Sequence, residues 1–472
     1  MQFKLLLVLV LSGMAISRSA AQQEVARSDT NVSVRSAPLP MGWRNDGTGR
    51  FPDADPPTVW GKDKNVVWST AMPGWSNATP VLVGDRIFVC AEPTTLLCVR
   101  AADGKILWQK TNSYMEMLSG EEVAAAKLDL KKGDEIVKQL DPLKKELAEL
   151  LKQLRKTPKD EQLRAKAKQV RGQVKDLEDR LKALSKWRMP KTNDVNGYSS
   201  CTPTSDGQDV YVLFGTGVAA CYDLEGNRKW IRLVQKPTQD YGQSASPLLV
   251  GDRLIVHING LFALDTKTGQ VVWTVKTGQR WGSPVHARIG GADVAITAFG
   301  DVLRVADGDV LARRLAGLEY CAPVVHEAVV YYIQHGGKAV KLPGNPGKEI
   351  DKRALWQTRP NKDRYYASPV CHDGLIYAIN QKAVFSAIDA ATGEVVYEQK
   401  LDLGKGTAFS SITLAGDYLF VSSDNGTTVV VDPGREYKEI ARNTLEAFRS
   451  CPVFSGKRMY IRGLKNLYCI GQ

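Results

Sequence analysis

The chain has few of the residues that build metal and nucleophile sites. Only five histidines occur in 472 residues, at His257, His286, His326, His335 and His372, and they are scattered. No Cys-x-x-Cys pair and no histidine cluster is present, which argues against a structural or catalytic zinc centre. No two of the eight cysteines are adjacent, which excludes a vicinal disulfide. Gly215-Thr216-Gly217 and Gly336-Gly337 lack the strand-to-helix context of a phosphate loop and read as hairpin turns. No nucleophile and base are paired by spacing. Apart from Leu5 to Leu11, no stretch is apolar enough to suggest a membrane span.

What the chain does have is short β-prone runs cut by turns. Ser246 to Lys276 holds four of them: Ser246 to Val250, Arg253 to Ile258, Leu261 to Leu264 and Gln270 to Val275. Gly251-Asp252, Asn259-Gly260 and the Asp265 to Gly269 turn separate them. This is a four-stranded antiparallel meander, too small to bury its own faces. Copies start at Thr79-Pro80, Thr202-Pro203, Ser283-Pro284, Ala322-Pro323, Ser368-Pro369, Ser411-Ile412 and Cys451-Pro452. Eight starts at a spacing of roughly forty residues is the period of propeller blades. The fourth-strand signal, a turn followed by apolar residues and an aromatic, recurs at Asp103 to Trp108, Asn227 to Trp230, Ala354 to Trp356 and Gly393 to Tyr397. It is eroded at Asp309 to Leu311.

The last copy stops at Gln472 with no fourth strand, while Asn65 to Thr70 is an orphan strand near the start. The economical expectation is that the orphan completes the last blade and closes the ring, leaving no open sheet edge. The predicted fold is all-β, an eight-bladed propeller of four-stranded antiparallel blades. Cys98, Cys221 and Cys469 fall where the reference copy has Ala263. Cys201 and Cys321 take the place of Ala245, and Cys451 that of Ser246. They read as small buried core residues. Cys90 and Cys98 flank one turn and form the only pair to test as a bridge.

The Ser-Pro-x-x-x-Gly-Asp starts and the Asp-x-x-Thr-Gly-x-x-x-aromatic ends at Asp265 to Trp273 and Asp389 to Tyr397 resemble the quinoprotein-like (PQQ-repeat) β-propellers. That group includes BamB-like outer-membrane assembly proteins and quinoprotein alcohol dehydrogenases. The resemblance covers nearly the whole chain except the leader and the segment from about Met115 to Pro190. It specifies fold more than activity, because one propeller hosts many functions. The Trp43-Arg44 to Gly49 segment is similar to segments that precede the first blade in exported members, and a structural role is expected for it.

Met1 to Ala21 has Lys4, a short apolar core and Ser19-Ala20-Ala21, the pattern of a cleavable signal peptide. Residues 22–40 are polar and read as a disordered linker. Export to the periplasm or cell envelope follows as an expectation. No cysteine lies near the expected cut, unlike in BamB-like lipoproteins. The remaining boundaries are 41–114 for the closing strand and first blade, 115–190 for an insertion and 191–472 for the other blades.

Within the insertion the period changes to 3.5. Ile136, Leu140, Leu143, Leu147, Leu150 and Leu154 form one seam. Leu163, Ala167, Val170, Val174, Leu177, Leu181 and Leu184 form another. Two such helices joined by Thr157 to Asp160 predict an antiparallel α-helical coiled-coil hairpin projecting roughly 35–40 Å. Thr157 is expected to cap the second helix, with Pro158 at its first position. Asp141-Pro142 is expected to kink the first helix or start a new one. A further helix is expected at Ser119, with Glu122 completing a capping box. The hairpin holds near half of the net charge of +12.

Candidate site residues come from the loops that enter each innermost strand and face the central funnel. They are Trp75, Tyr198, Tyr241, Arg280, Trp281, Tyr320, Arg364, Tyr366, Phe409, Phe448 and Arg449. Rings with a few guanidinium groups suit a flat or anionic ligand, or an extended peptide. The resemblance implies a choice. A dehydrogenase would hold a pyrroloquinoline quinone (PQQ) cofactor over a tryptophan floor, here Trp281, with calcium on acidic and amide ligands. No matching acidic set is recognisable, with Asp240 and Glu319 the only acids beside the funnel rings. The expectation is a non-catalytic exported scaffold, a monomeric ring without PQQ or calcium, binding an envelope or secreted protein and no nucleic acid. The alternatives are a PQQ-dependent oxidoreductase and a binder of an anionic envelope polymer.

Overall fold

Asn259 takes φ +47° and reverses the chain within one residue, so that Ile258 pairs with Gly260 and Ile255 with Ala263. That hairpin geometry, repeated with variations, builds the molecule. A computed structural model of the protein describes residues 41–345 and 350–471. The signal peptide and linker expected over 1–40 lie outside them. The described residues form eight β-sheets, each a four-stranded meander, with one extra short strand on the seventh. In chain order the blades span residues 81–111, 204–233, 248–275, 285–312, 324–358, 370–400, 413–444 and 453–470, the last completed from the N-terminal side.

The completing strand is Val66–Ala71. It pairs antiparallel with Asn466–Ile470 as the outermost strand of the eighth blade, Trp68 opposite Cys469 and Thr70 opposite Leu467. The ring therefore closes as its sequence predicts. Even the eroded copy forms its fourth strand, Val310–Ala312.

The blades are joined by a repeated contact. The fourth-strand tryptophan of one blade reaches the next and donates its indole N–H to a backbone carbonyl there. Trp68 reaches Ala101, Trp108 reaches Leu224, Trp230 reaches Thr266, Trp273 reaches Val305 and Trp356 reaches Ala390, at 2.8–3.1 Å. Each ring lies against a turn glycine of that next blade. At Gly269, φ is +67° and an added Cβ would sit 2.6 Å from the Trp230 ring. Opposite each tryptophan within its own sheet stands a small residue, Cys98, Cys221, Ala263, Ala339 or Cys469. All eight cysteines are free and buried. The proposed Cys90–Cys98 bridge does not form, because Cys90 pairs with Leu96 and Cys98 with Phe88, which offsets the two thiols by two residues along the hairpin.

The insertion is a pair of long helices, α1 (Gly120–Lys156) and α2 (Glu161–Ala183), packed together along the two predicted seams. Ser119 and Glu122 form the capping box, but they start α1 itself, not a separate helix. Pro142 lies within α1 on its exposed side, where the carbonyl it leaves unpaired can be hydrated, so the helix runs through. Thr157 closes α1 instead of capping α2, since the residue before a proline is driven out of helical geometry. Asp160 takes the cap, its carboxylate accepting from Leu163 N–H at 3.0 Å.

Candidate functional site

Each inner strand is preceded by a small or hydroxylic residue that faces the propeller axis. The side chains of the six hydroxylic ones each accept the backbone N–H of the counterpart in the neighbouring blade. The series runs from Cys451 N–H to Thr79, from Thr79 to Thr202, from Thr202 to Ser246 and from Ser246 to Ser283. It resumes from Ala322 to Ser368 and from Ser368 to Ser411. The bonds are 2.9–3.1 Å long. The proline after most of these residues has no N–H of its own to satisfy. Where Ile412 replaces it, the N–H donates to Ser368 carbonyl at 3.3 Å.

Above this neck opens a cavity of about 500 Å³. One side is a continuous arc of rings from successive blades. Tyr241 meets Trp281 edge-on at 6.4 Å, Trp281 stacks on Tyr320 at 5.5 Å, Tyr320 meets Tyr366 at 4.7 Å, and Tyr366 stacks on Phe409 at 4.6 Å. Arg449 lies over Phe409 at 5.6 Å, and Arg364 donates to the Tyr366 hydroxyl at 3.4 Å. That bond and the nearby Tyr320 strengthen the hold of Arg364 on its proton, while burial raises the Tyr320 phenol. The lining includes no aspartate, glutamate, lysine or histidine; its charge comes from Arg364 and Arg449.

Of the candidate residues, Tyr241, Trp281, Tyr320, Arg364, Tyr366, Phe409 and Arg449 line this cavity. The others are placed elsewhere. Phe448 is fully buried in the core between the last two blades. Arg280 lies over Phe299 and donates to Gln279 carbonyl at 2.9 Å. Tyr198 donates its hydroxyl to Pro190 carbonyl at 2.8 Å, and Trp75 packs against Gly197. All four sit in loops next to the inner strands, but their side chains turn into packing. Asp240 pairs with Lys191 at 3.6 Å and is not part of the cavity lining.

The opposite wall was not foreseen. It is the return segment of the helical insertion, Asn193 to Ser200, with Asn77. Asn193 folds the segment by accepting from Val195 and Asn196 N–H. Asn77 donates to Val195 carbonyl at 2.6 Å, Arg449 donates to the same carbonyl at 3.2 Å, and Asn196 donates to Tyr241 carbonyl at 2.6 Å. Glu92 clamps its end, accepting from Tyr198 N–H at 2.7 Å and from Ser199 N–H and hydroxyl at 2.6 Å. Burial raises the Glu92 carboxyl, and these bonds oppose the rise. The only sequence signal was the asparagine-rich turn Thr192 to Gly197. The insertion is thus rooted at the funnel mouth. Its base is held by Tyr114 hydroxyl to Thr216 carbonyl at 2.6 Å and by the Lys236 ammonium to the Ser185 and Arg188 carbonyls.

The far side of the neck is plugged. Residues 41–51 cross from Ser205 on the second blade to Leu414 and Ala415 on the seventh. Trp43 reaches the cavity lining. Arg44 is fully buried and donates to the Pro369 and Ile412 carbonyls at 2.7 and 2.9 Å.

The residues present do not fit a quinone cofactor with calcium. The lining offers hydroxyls, amides and guanidinium groups and no carboxylate, and among the described residues no three His, Cys, Asp or Glu side chains converge on one point.

No curated protein matches the chain. Among solved structures, BamB from Moraxella catarrhalis superposes with a TM-score of 0.54 at 12% identity, covering 86% of this chain and 99% of that one. A europium-containing methanol dehydrogenase gives 0.53 at 11%, covering 85% of each chain. Quinohemoprotein alcohol dehydrogenase ADHIIG from Pseudomonas putida HK5 gives 0.54 at 9%, covering 89% of this chain and 78% of that one. At such identities the likeness is one of fold. The family described as outer membrane protein assembly factor BamB matches residues 57–148, 185–317 and 306–436. With more than half of its length matched, the chain belongs to this family of PQQ-repeat β-propellers.

Proposed function

We propose that the protein is an exported, non-catalytic scaffold of the cell envelope that holds a protein partner against its funnel face. One observation carries the reading. An unbroken arc of five rings, from Tyr241 to Phe409, faces a wall contributed by the root of the helical insertion. Half-exposed aromatic rings beside arginines are the residues that dominate protein interfaces. The insertion adds a second, basic surface on the same face. Membership of a family described by outer-membrane assembly supports the setting.

The test is site-specific photo-crosslinking in the envelope. Probes at Tyr241, Tyr366 and Lys168 on α2 should each trap the same discrete adduct, while a probe at Lys457 on the opposite face should trap none. Adducts from Lys457 alone would overturn the proposal.

The two guanidinium groups in the lining, of which Arg449 has Asp424 at 3.9 Å and Arg364 bonds only the Tyr366 hydroxyl among the described residues, favour a second reading, an anionic envelope polymer. Retention on an anionic polysaccharide column that is lost in the Arg364→Ala, Arg449→Ala double variant would favour it. Equal retention of both proteins would remove it. Dye reduction after addition of the quinone and calcium would instead point to the oxidoreductase.

A further inference from the structure

The neck of the propeller contains more hydrogen-bond donors than its protein partners use. Thr79, Thr202, Ser246, Ser283, Ser368 and Ser411 are each more than nine-tenths buried and line the cavity. Their oxygens accept a neighbouring blade's N–H. None of their O–H groups has a protein acceptor among the described residues, so each is free to donate. The hydroxyl series is interrupted at Ala322 and Cys451, and this is the side on which Arg44 is bound, through the carbonyls of Pro369 and Ile412. Its guanidinium is completely buried over the Trp43 ring at 5.3 Å, and its Nε and Nη1 have no hydrogen-bond partner among the described residues. The thiols of Cys321 and Cys451 and the carboxylate of Asp46 are the groups near enough to act on its charge. Cys451 belongs to the cavity lining as well. Asp46 makes its own bonds to Thr48, leaving the guanidinium without a bonded carboxylate.

A buried cation with unused N–H groups is costly unless a counter-charge reaches it. We propose that the neck is a binding site for a small inorganic anion, a halide or compact oxyanion, seated on the axis between the ring hydroxyls and Arg44. The hydroxyls supply neutral donors around it and the guanidinium supplies the charge, the arrangement by which charge-assisted bonds hold anions away from water. Burial outweighs the nearby Cys451, Asp46 and Cys321 and lowers the Arg44 pKa to about 10, and a bound anion would raise it again. The plug formed by Trp43 and Arg44 would then be anion-dependent, linking ring stability to the ion.

The experiment uses the full exported chain. Thermal unfolding is followed while chloride or sulfate replaces a bulky organic anion at constant ionic strength. A saturable rise of several degrees is expected in the wild type and no rise in Arg44→Met. An equal rise in both proteins, or none in the wild type, overturns the proposal. Should Arg44→Met fail to fold, crystals of the wild type soaked in bromide decide the matter. An anomalous peak on the axis beside Arg44 is expected, and bromide confined to the outer surface overturns it.

Discussion

At the scale of single residues, the same chemical type is used for opposite ends according to where the ring places it. Trp68, Trp108, Trp230, Trp273 and Trp356 are fasteners, while Trp281, in a loop one strand away, belongs to the open arc. Histidine shows the same divergence. His257 is fully buried, its Nε2 bonded to Thr277 Oγ1 at 3.0 Å, and burial lowers its pKa from 6.5 to about 4. The folded state therefore prefers the neutral ring more strongly than the unfolded chain does. The stability this contributes is complete above pH 6.5 and is lost as the pH falls towards 4. The loss amounts to roughly 3 kcal/mol over that window, since a tenfold change in proton affinity is worth about 1.4 kcal/mol. Chemical denaturation as a function of pH should show this decline, and His257→Gln should flatten it. A variant with an undiminished acid slope would mean that other groups cause the decline.

At the scale of elements, the helical insertion was legible because its period of 3.5 stands out against period-two strands on either side. Both seams are buried as read. The details that went astray were at helix ends and at Pro142 inside α1, where a proline or one hydroxyl decides the outcome locally. The insertion's role at the funnel was not legible, because Asn193, Asn196 and Ser200 act through loop conformation and not through any periodic pattern. Deleting 120–183 and joining the ends with a short linker should leave the β circular-dichroism signal intact and lower the melting temperature by only a few degrees. The Glu92 clamp on Tyr198 and Ser199 lies outside the deletion. Loss of the β signal would show that the helices are part of the propeller's own core.

At the scale of the whole molecule, closure is the event on which stability turns. The eighth blade has three strands from the C-terminal end of the chain and one from near its start. Trp68 fastens that composite blade to the first, its indole bonded to Ala101 carbonyl at 3.1 Å. Trp68→Ala removes both the ring packing and this bond, and should destabilise the protein by roughly 3–5 kcal/mol. In the same variant, amide exchange should accelerate first in Val66–Ala71 and Asn466–Ile470. Uniform acceleration across all blades would mean that the ring unfolds as one unit with no preferred seam.

The sequence by itself determined the blade count, the partner of the orphan strand and the interior place of the cysteines. All of these follow from a repeated local code of turns and alternating residues, which each copy states independently. It also identified the loops that carry the rings. Only the tertiary structure decided which of those rings face the cavity, that the insertion's return segment walls it, and that Arg44 plugs the neck with its Nε and Nη1 unbonded among the described residues. The reason is physical. A loop side chain's direction is set by neighbours distant in sequence, as when Arg44 meets carbonyls 325 and 368 residues away, and no local pattern encodes such contacts.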